Sequence, residues 1–171
     1  ILTLCATIWM GIIGFIDDYM KIKMKASKGL IARYKLIGQI LLGLFISYFL
    51  YQYGDIQYYT INLDNTNNII PISSISLPFI ANGFINLGFL YIPLIIITIT
   101  ATSNSVNLTD GLDGLATGLV AISTLVFAAI AYASGRADYS NYLNIIFIPN
   151  AGELFIFCFS IIGACIGFLW Y

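Results

Sequence analysis

Apolar residues come in five long runs along the chain, at about 1–16, 36–53, 84–106, 115–134 and 152–171. Each run approaches the roughly 20 residues that a helix needs to cross a bilayer. Their isoleucine content would also suit buried strands, and length decides for helix. In lipid the backbone must satisfy its own hydrogen bonds, which a helix does within one segment. Two connections are long. Residues 54–83 are polar, carry Pro71 and Pro78, and include the weakly alternating stretch DIQYYTINL at 55–63; this predicts a small β-hairpin outside the bilayer. Residues 135–151 form the second. No internal repeat or soluble domain stands out. The pattern predicts an all-α polytopic membrane protein, a single transmembrane domain over 1–171 with about five helices of a larger bundle.

Composition agrees. Of the 171 residues 60% are hydrophobic and 9% charged, against about 25% charged in a soluble domain. The net charge of −1 suggests no nucleic-acid partner, and with no histidine a His-based metal site or catalytic triad within this chain is excluded. Cys5, Cys158 and Cys165 are odd in number and lie inside apolar runs. They read as small buried apolar residues, not a disulfide framework. The first run has no basic stretch before it and does not resemble a signal peptide. The chain opens at Ile1 and closes at Tyr171 inside apolar runs, and is expected to be an internal fragment of a longer protein.

The placement of charge matters more than its sum. Lys21, Lys23, Lys25, Lys28, Arg33 and Lys35 lie between the first two runs, none lies in 54–83, and Arg136 is alone in 135–151. The positive-inside rule makes 17–35 cytoplasmic. Counting crossings then puts 104–114 on the same side and 54–83 and 135–151 outside. Asp17, Asp18, Asp110 and Asp113 fall in the two inner loops; Asp55, Asp64, Asp138 and Glu153 fall elsewhere.

Three groups could carry chemistry. The first is Asp17-Asp18 with Lys21. A solvated helix end with an i,i+4 pair would explain it, but negative charge at a helix C-terminus opposes the macrodipole, and ionisable groups at membrane depth are functional by default. The pair suits Mg²⁺ binding, or proton abstraction by one carboxylate whose neighbour raises its pKa. The second is NSVNLTDGLDGLATG, 104–118. If it is helical from 107, Asn107, Asp110 and Gly114 share a face with Asp113 beside it, and Gly111 and Gly114 allow close approach. A turn capped by Asn107 or Thr109 accounts for only part of this set. The third is the basic loop, most of which signals topology and anionic lipid contact, while cations beside a carboxylate pair also suit a phosphate-bearing ligand. Gly114/Gly118 and Gly163/Gly167 are small-xxx-small patterns that suit helix packing. Together these groups predict Mg²⁺-dependent chemistry on a phosphate compound at the cytoplasmic surface.

GFIDDYMKI with SKGLIARYKLIGQ, and NSVNLTDGLDGLATG, resemble the polyprenyl-phosphate N-acetylhexosamine-1-phosphate transferases over essentially the whole chain. The Lys-Gly-Leu…Arg-Tyr-Lys run and the Asn-Leu-Thr-Asp-Gly-Leu-Asp-Gly spelling are similar to the phospho-N-acetylmuramoyl-pentapeptide branch. The resemblance implies transfer of phospho-MurNAc-pentapeptide from UDP-MurNAc-pentapeptide to undecaprenyl phosphate, giving lipid I and UMP. This is the first membrane step of peptidoglycan synthesis, in the bacterial inner membrane, with Mg²⁺ as cofactor and a homodimer among the assemblies it allows. It makes Asp17 and Asp18 the catalytic pair and sets Lys21, Lys25 and Lys35 near the phosphates. Asn107, Asp110 and Asp113 would line the nucleotide-sugar cleft, with Gly111 and Leu112 offering backbone contacts. The main Mg²⁺ ligand is expected beyond Tyr171, a His-rich loop later still, and a cleft lysine before Ile1, so this chain alone is expected to be inactive. The alternatives are an N-acetylglucosamine-1-phosphate transferase, an ion-coupled transporter, whose acids would sit near mid-membrane, and a structural membrane subunit, which leaves the acids unexplained.

Overall fold

The computed structural model describes residues 1–23, 30–52, 58–61, 67–77, 83–143 and 145–170. Five of its helices are long and apolar enough to cross a membrane. They are α1 (Leu2–Lys23), α2 (Ala32–Gln52), α3 (Tyr91–Thr109), α4 (Leu115–Ser134) and α6 (Gly152–Trp170), with the short α5 (Ala137–Tyr142) inside the connection 135–151. The hairpin expected within 54–83 is present as one antiparallel pair, and a second antiparallel pair follows it. Strand β1 (Tyr58–Ile61) runs beside β2 (Asn67–Ile70) with Tyr58 opposite Ile70, and β3 (Ser74–Ser76) beside β4 (Phe84–Asn86) with Ser74 opposite Asn86. Pro71 separates the pairs: it has no N–H to give to a ladder, and its carbonyl closes a turn onto the Ser74 N–H.

The helix bounds differ from the apolar runs in two informative places. α3 starts at Tyr91, not at 84, because 84–86 is a strand; this start also puts Pro93 in the first helical turn, where a missing N–H breaks no bond. α1 continues to Lys23, so Asp17 and Asp18 stand on a helix and not in the loop that the end of the apolar run suggested. Side-chain polarity ends the apolar run, whereas Asp-Asp-Tyr-Met-Lys holds no Gly or Pro to break the helix.

The chain divides into two compact units. The first comprises Ile1–Gln52 and Phe89–Asn104. Here α1 meets α2 where Trp9 Nε1 donates to the Gly38 carbonyl at 3.0 Å and Ile13 packs on Gly38, closely enough that a Cβ there would stand 2.6 Å from Ile13 Cδ1. α2 buries Gln39, Leu42, Gly43 and Ser47, spaced as one helix face. That face meets α3. Gly43 lies against the backbone of Ile96, and Gln39 donates to Ser103 Oγ at 3.0 Å and accepts from Asn104 Nδ2 at 3.2 Å. A buried amide in a bilayer needs such partners.

The second unit comprises Tyr53–Gly88 and Ser105–Tyr171. Its centre is α4 packed on α6. Tyr132 of α4 meets Phe155 of α6 with centroids 5.4 Å apart, and Phe155 meets Phe159 at 4.7 Å. At the α4–α5 corner the Arg136 guanidinium lies over the rings of Tyr132 and Tyr139 and holds both oxygens of Asp138. This hydrogen bonding keeps the Asp138 carboxyl below the usual carboxylate range. All three cysteines are free. Cys165 is buried, Cys158 half-buried and Cys5 exposed, since an apolar residue of a membrane span can face lipid as well as protein. Gly118, Gly163 and Gly167 have open space where a Cβ would stand. Of the two small-xxx-small patterns only Gly114 makes a close contact, with Leu169; Gly38 and Gly43 also lie close to neighbouring helices.

Candidate active-site residues

The first candidate site lies wholly in the first unit. Trp9, Ile13, Asp17 and Lys21 are four residues apart on α1 and share one face. Trp9 and Ile13 meet α2 on that face, and it draws Asp17 under α2, where the carboxylate is 6% exposed. A carboxylate so buried needs partners, and it has three. The Leu30 backbone N–H donates to Oδ1 at 2.7 Å. Lys21 Nζ lies 2.6 Å and Lys35 Nζ 2.8 Å from Oδ2. Lys21 sits one turn further along α1 and Lys35 in the first turn of α2, so one side chain ties a helix end to the returning chain and to the next helix.

Asp18 is about 100° further round the helix and faces away from α2. Its side chain is 71% exposed, and its one ion pair among the described residues is with Lys21 at 3.3 Å. It opens on a groove of about 570 Å³ lined by Phe15, Asp18, Tyr19, Ile22 and Lys23. The Phe15 and Tyr19 rings stack there, and the Lys23 ammonium lies 5.3 Å from the Tyr19 centroid. The two aspartates are thus not an isolated repelling pair. Lys21 contacts both carboxylates, and Lys35 adds a second cation to Asp17. Lys25 lies outside the described residues.

The second candidate site lies wholly in the second unit. An open cleft of about 930 Å³ is lined by Asp110, Asp113, Gly114, Ala116 and Thr117 from the turn and first residues of α4, and by Gly167, Phe168 and Leu169 from the end of α6. The helical face expected from 107 onward does not form. α3 ends at Thr109 and residues 110–114 are a turn. Asn107 is exposed on α3, and Gly111 and Leu112 are exposed at the turn; none of the three lines the cleft. Capping does not use the polar residues either. The N-cap of α4 is Gly114, with φ 80° and no side-chain cap, and the Thr109 hydroxyl bonds back to the Ser105 carbonyl. Asp110 and Asp113 make no hydrogen bond or ion pair among the described residues. Gly114 needs its left-handed backbone, and a Cβ there would stand 2.9 Å from Leu169 Cδ2. Gly114→Ala is expected to destabilise by about 1–3 kcal/mol through backbone strain and to narrow the cleft; the thermal midpoint in detergent checks it.

Residues 1–171 match Glycosyl transferase family 4 along their whole length. The chain belongs to glycosyl transferase family 4. It is 48% identical over 170 residues to the phospho-N-acetylmuramoyl-pentapeptide-transferase of Chlorobium phaeobacteroides (strain DSM 266), covering 99% of this chain and 43% of that protein. It is 45% identical over 170 residues to the same-named protein of Chloroherpeton thalassium, with the same coverage. With that of Thermodesulfovibrio yellowstonii it shares 47% over 161 residues, 94% of this chain and 41% of the relative. The chain therefore spans less than half the length of the curated relatives it matches. In this glycosyl transferase family 4 chain, the residues that sequence reasoning missed are Ala116, Thr117, Gly167, Phe168 and Leu169. A signal for them existed. Two antiparallel spans of similar length, 20 and 19 residues, return the end of the second to the level of the start of the first.

Proposed function

We propose that the whole protein carrying this chain transfers phospho-MurNAc-pentapeptide from UDP-MurNAc-pentapeptide to undecaprenyl phosphate at the cytoplasmic face of the bacterial inner membrane, releasing UMP and forming lipid I. The observation that carries this reading is the 48% identity over 99% of the chain with a relative of that name, and the two sites supply chemistry that suits it. In the reaction a phosphate oxygen of the lipid attacks the sugar-bearing phosphorus of the donor. One P–O bond forms, the bond to the UMP oxygen breaks, and UMP leaves with the electron pair. Catalysis of such a step is mostly positioning and charge neutralisation. Lys21 and Lys35 supply fixed positive charge for phosphate oxygens. The 110–114 turn and the start of α4 offer a cleft whose acids, without a partner among the described residues, suit hydrogen bonds from a nucleotide-sugar, and whose helix end favours phosphate.

Mg²⁺ is the cofactor this reading implies. Asp17 is a poor ligand for it, because two ammonium groups already occupy one of its oxygens. Asp110 and Asp113, whose side chains line the cleft and have no partner among the described residues, fit a shared site, since Mg²⁺ is commonly held by one or two carboxylates together with substrate phosphates. When bound it would neutralise charge on the transferring phosphoryl group.

The test replaces the matching segment of the Chlorobium phaeobacteroides relative with residues 1–171 and assays both UDP-sugars in membranes. The expected result is a lipid-linked product from UDP-MurNAc-pentapeptide and none from UDP-N-acetylglucosamine. The reverse preference would assign the chain to the N-acetylglucosamine branch.

A further inference from the structure

α4 runs over 20 residues, Leu115–Ser134. At 1.5 Å per residue this is about 30 Å, roughly the thickness of a bilayer's hydrocarbon core. A helix of that length enters the core near its first residue and leaves it near its last. Only Gly135 and Arg136 separate its end from α5 (Ala137–Tyr142), and two residues span about 7 Å. α5 is itself only about 9 Å long. It is thus confined to the layer of lipid headgroups, which adds roughly 5–8 Å on each side of the core.

The surface of α5 suits that layer. Tyr139, Tyr142 and Leu143 stand three and four residues apart and share one face. All three are exposed, Tyr142 at 85%. Asp138 and Asn141 are also exposed and turn the other way, while Ser140 is buried. Tyrosine rings with a polar tip concentrate at membrane–water interfaces, and a helix with one apolar face lies along them. The joint to α4 is fixed by hydrogen bonds. The Ile148 N–H donates to the Ser134 carbonyl at 2.8 Å, and the Ile145 N–H to the Ser140 carbonyl at 3.0 Å. Arg136 donates from Nε and Nη2 to the Asp138 oxygens at 3.2 and 2.9 Å, and from Nη1 to the Tyr132 hydroxyl at 3.3 Å. Its guanidinium lies 5.8 Å from the Tyr132 ring centre and 5.0 Å from that of Tyr139. An arginine beside a membrane ordinarily suits lipid phosphate. Here all three of its nitrogens already donate within the chain.

We propose that α5 is a membrane-interface anchor. Its Tyr139–Tyr142–Leu143 face inserts among the headgroups of the leaflet that α4 reaches, and Arg136 is the brace that holds this face in place, not a ligand for lipid phosphate. The partner is the interfacial layer of a phospholipid bilayer, recognised by apolar and aromatic area. Lipid is assigned over a second copy of the chain because the face continues a surface that membrane-crossing helices already present. The exposed Ile130 and Ile156 stand about one turn from the ends of α4 and α6 beside it.

The test is a spin-label scan of the full-length chimera in phosphatidylcholine vesicles, which needs insertion and no turnover. In a cysteine-free background one label at a time is placed at Tyr142→Cys, Leu143→Cys or Asn141→Cys. The labels at Tyr142→Cys and Leu143→Cys are expected to collide severalfold more with dissolved oxygen, and severalfold less with a water-soluble nickel chelate, than the label at Asn141→Cys. The same pattern is expected when phosphatidylglycerol replaces half of the lipid. Arg136→Gln, and Arg136→Lys, which keeps the charge without the planar fork, are expected to raise nickel collisions at Tyr142→Cys towards the level at Asn141→Cys. Equal access of nickel to all three positions places the face in water and overturns the proposal. Protection from nickel and oxygen alike places it under protein, a second copy or another segment, and overturns it too. Protection that appears only with phosphatidylglycerol makes Arg136 a phosphate ligand and refutes the brace, as does a Tyr142→Cys label that neither Arg136 variant moves. Should Arg136→Gln fail to insert, Arg136→Lys and the scan with Arg136 in place still decide.

Discussion

Asp113→Asn, in the full-length chimera, is expected to lower turnover about a hundredfold to a thousandfold, the range typical of removing one aligned electrostatic group from a reacting site. The same substitution is expected to leave the thermal midpoint nearly unchanged. Asp113 is exposed, makes no hydrogen bond or ion pair among the described residues, and lines the cleft with Asp110. A surface carboxylate with no partner contributes within about 0.5 kcal/mol to folding, so its loss is felt by a ligand and not by the fold. Asp110→Asn behaves the same way for the same reason. The comparison residue is Asn107, which sequence reading set beside the two acids and which does not line the cleft; Asn107→Ala is expected to retain more turnover than either. Initial rates at saturating and at low UDP-MurNAc-pentapeptide check this. A large drop in midpoint for Asp113→Asn, or turnover near the unsubstituted level, would refute the cleft assignment.

Lys35→Met carries the second large effect, and it falls on stability. Removing one partner of a buried ion pair costs about 3–5 kcal/mol because an uncompensated charge is left inside. Here the cost is smaller, about 2 kcal/mol, because Asp17 keeps Lys21 and the Leu30 N–H and the exposed part of Lys35 is screened by solvent. Over 150–250 residues such a loss lowers the midpoint by roughly 4–8 °C. Lys21→Met, whose side chain is 46% exposed and lies on the same helix as Asp17, loses less. Thermal unfolding in detergent measures both, and equal losses would remove the special role given to the bridge from α1 to α2.

How much of this was legible beforehand can be judged residue by residue. The i,i+4 pairing of Asp17 with Lys21 follows from helical spacing once α1 is known to continue past the apolar run, and the ion pair at 2.6 Å bears that spacing out. The third partner was not legible. Lys35 lies 18 residues from Asp17, among six basic residues of the same loop, and composition treats them alike. In the second unit, Asp110 and Asp113 stood out as acids between apolar runs, and they do line one cleft. Asn107 stood out by a helical face shared with Asp110, Gly111 by the close approach it allows and Leu112 only through the family resemblance; none of them lines it, because a helix ends at Thr109 and a turn with a left-handed Gly114 re-aims the chain. Phe168 and Leu169 looked like ordinary lipid-facing residues, since nothing local marks which apolar residue ends up opposite a turn.

The sequence by itself determined five membrane-length helices and singled out the acids proposed to carry the chemistry, because apolar length and charge type are local properties. Tertiary structure alone decided which of two adjacent aspartates is enclosed and which is presented. Neighbours on a helix differ by about 100° in direction, and only the presence of α2 on one side of α1 turns that angle into a buried counter-ion at Asp17 and an open carboxylate at Asp18.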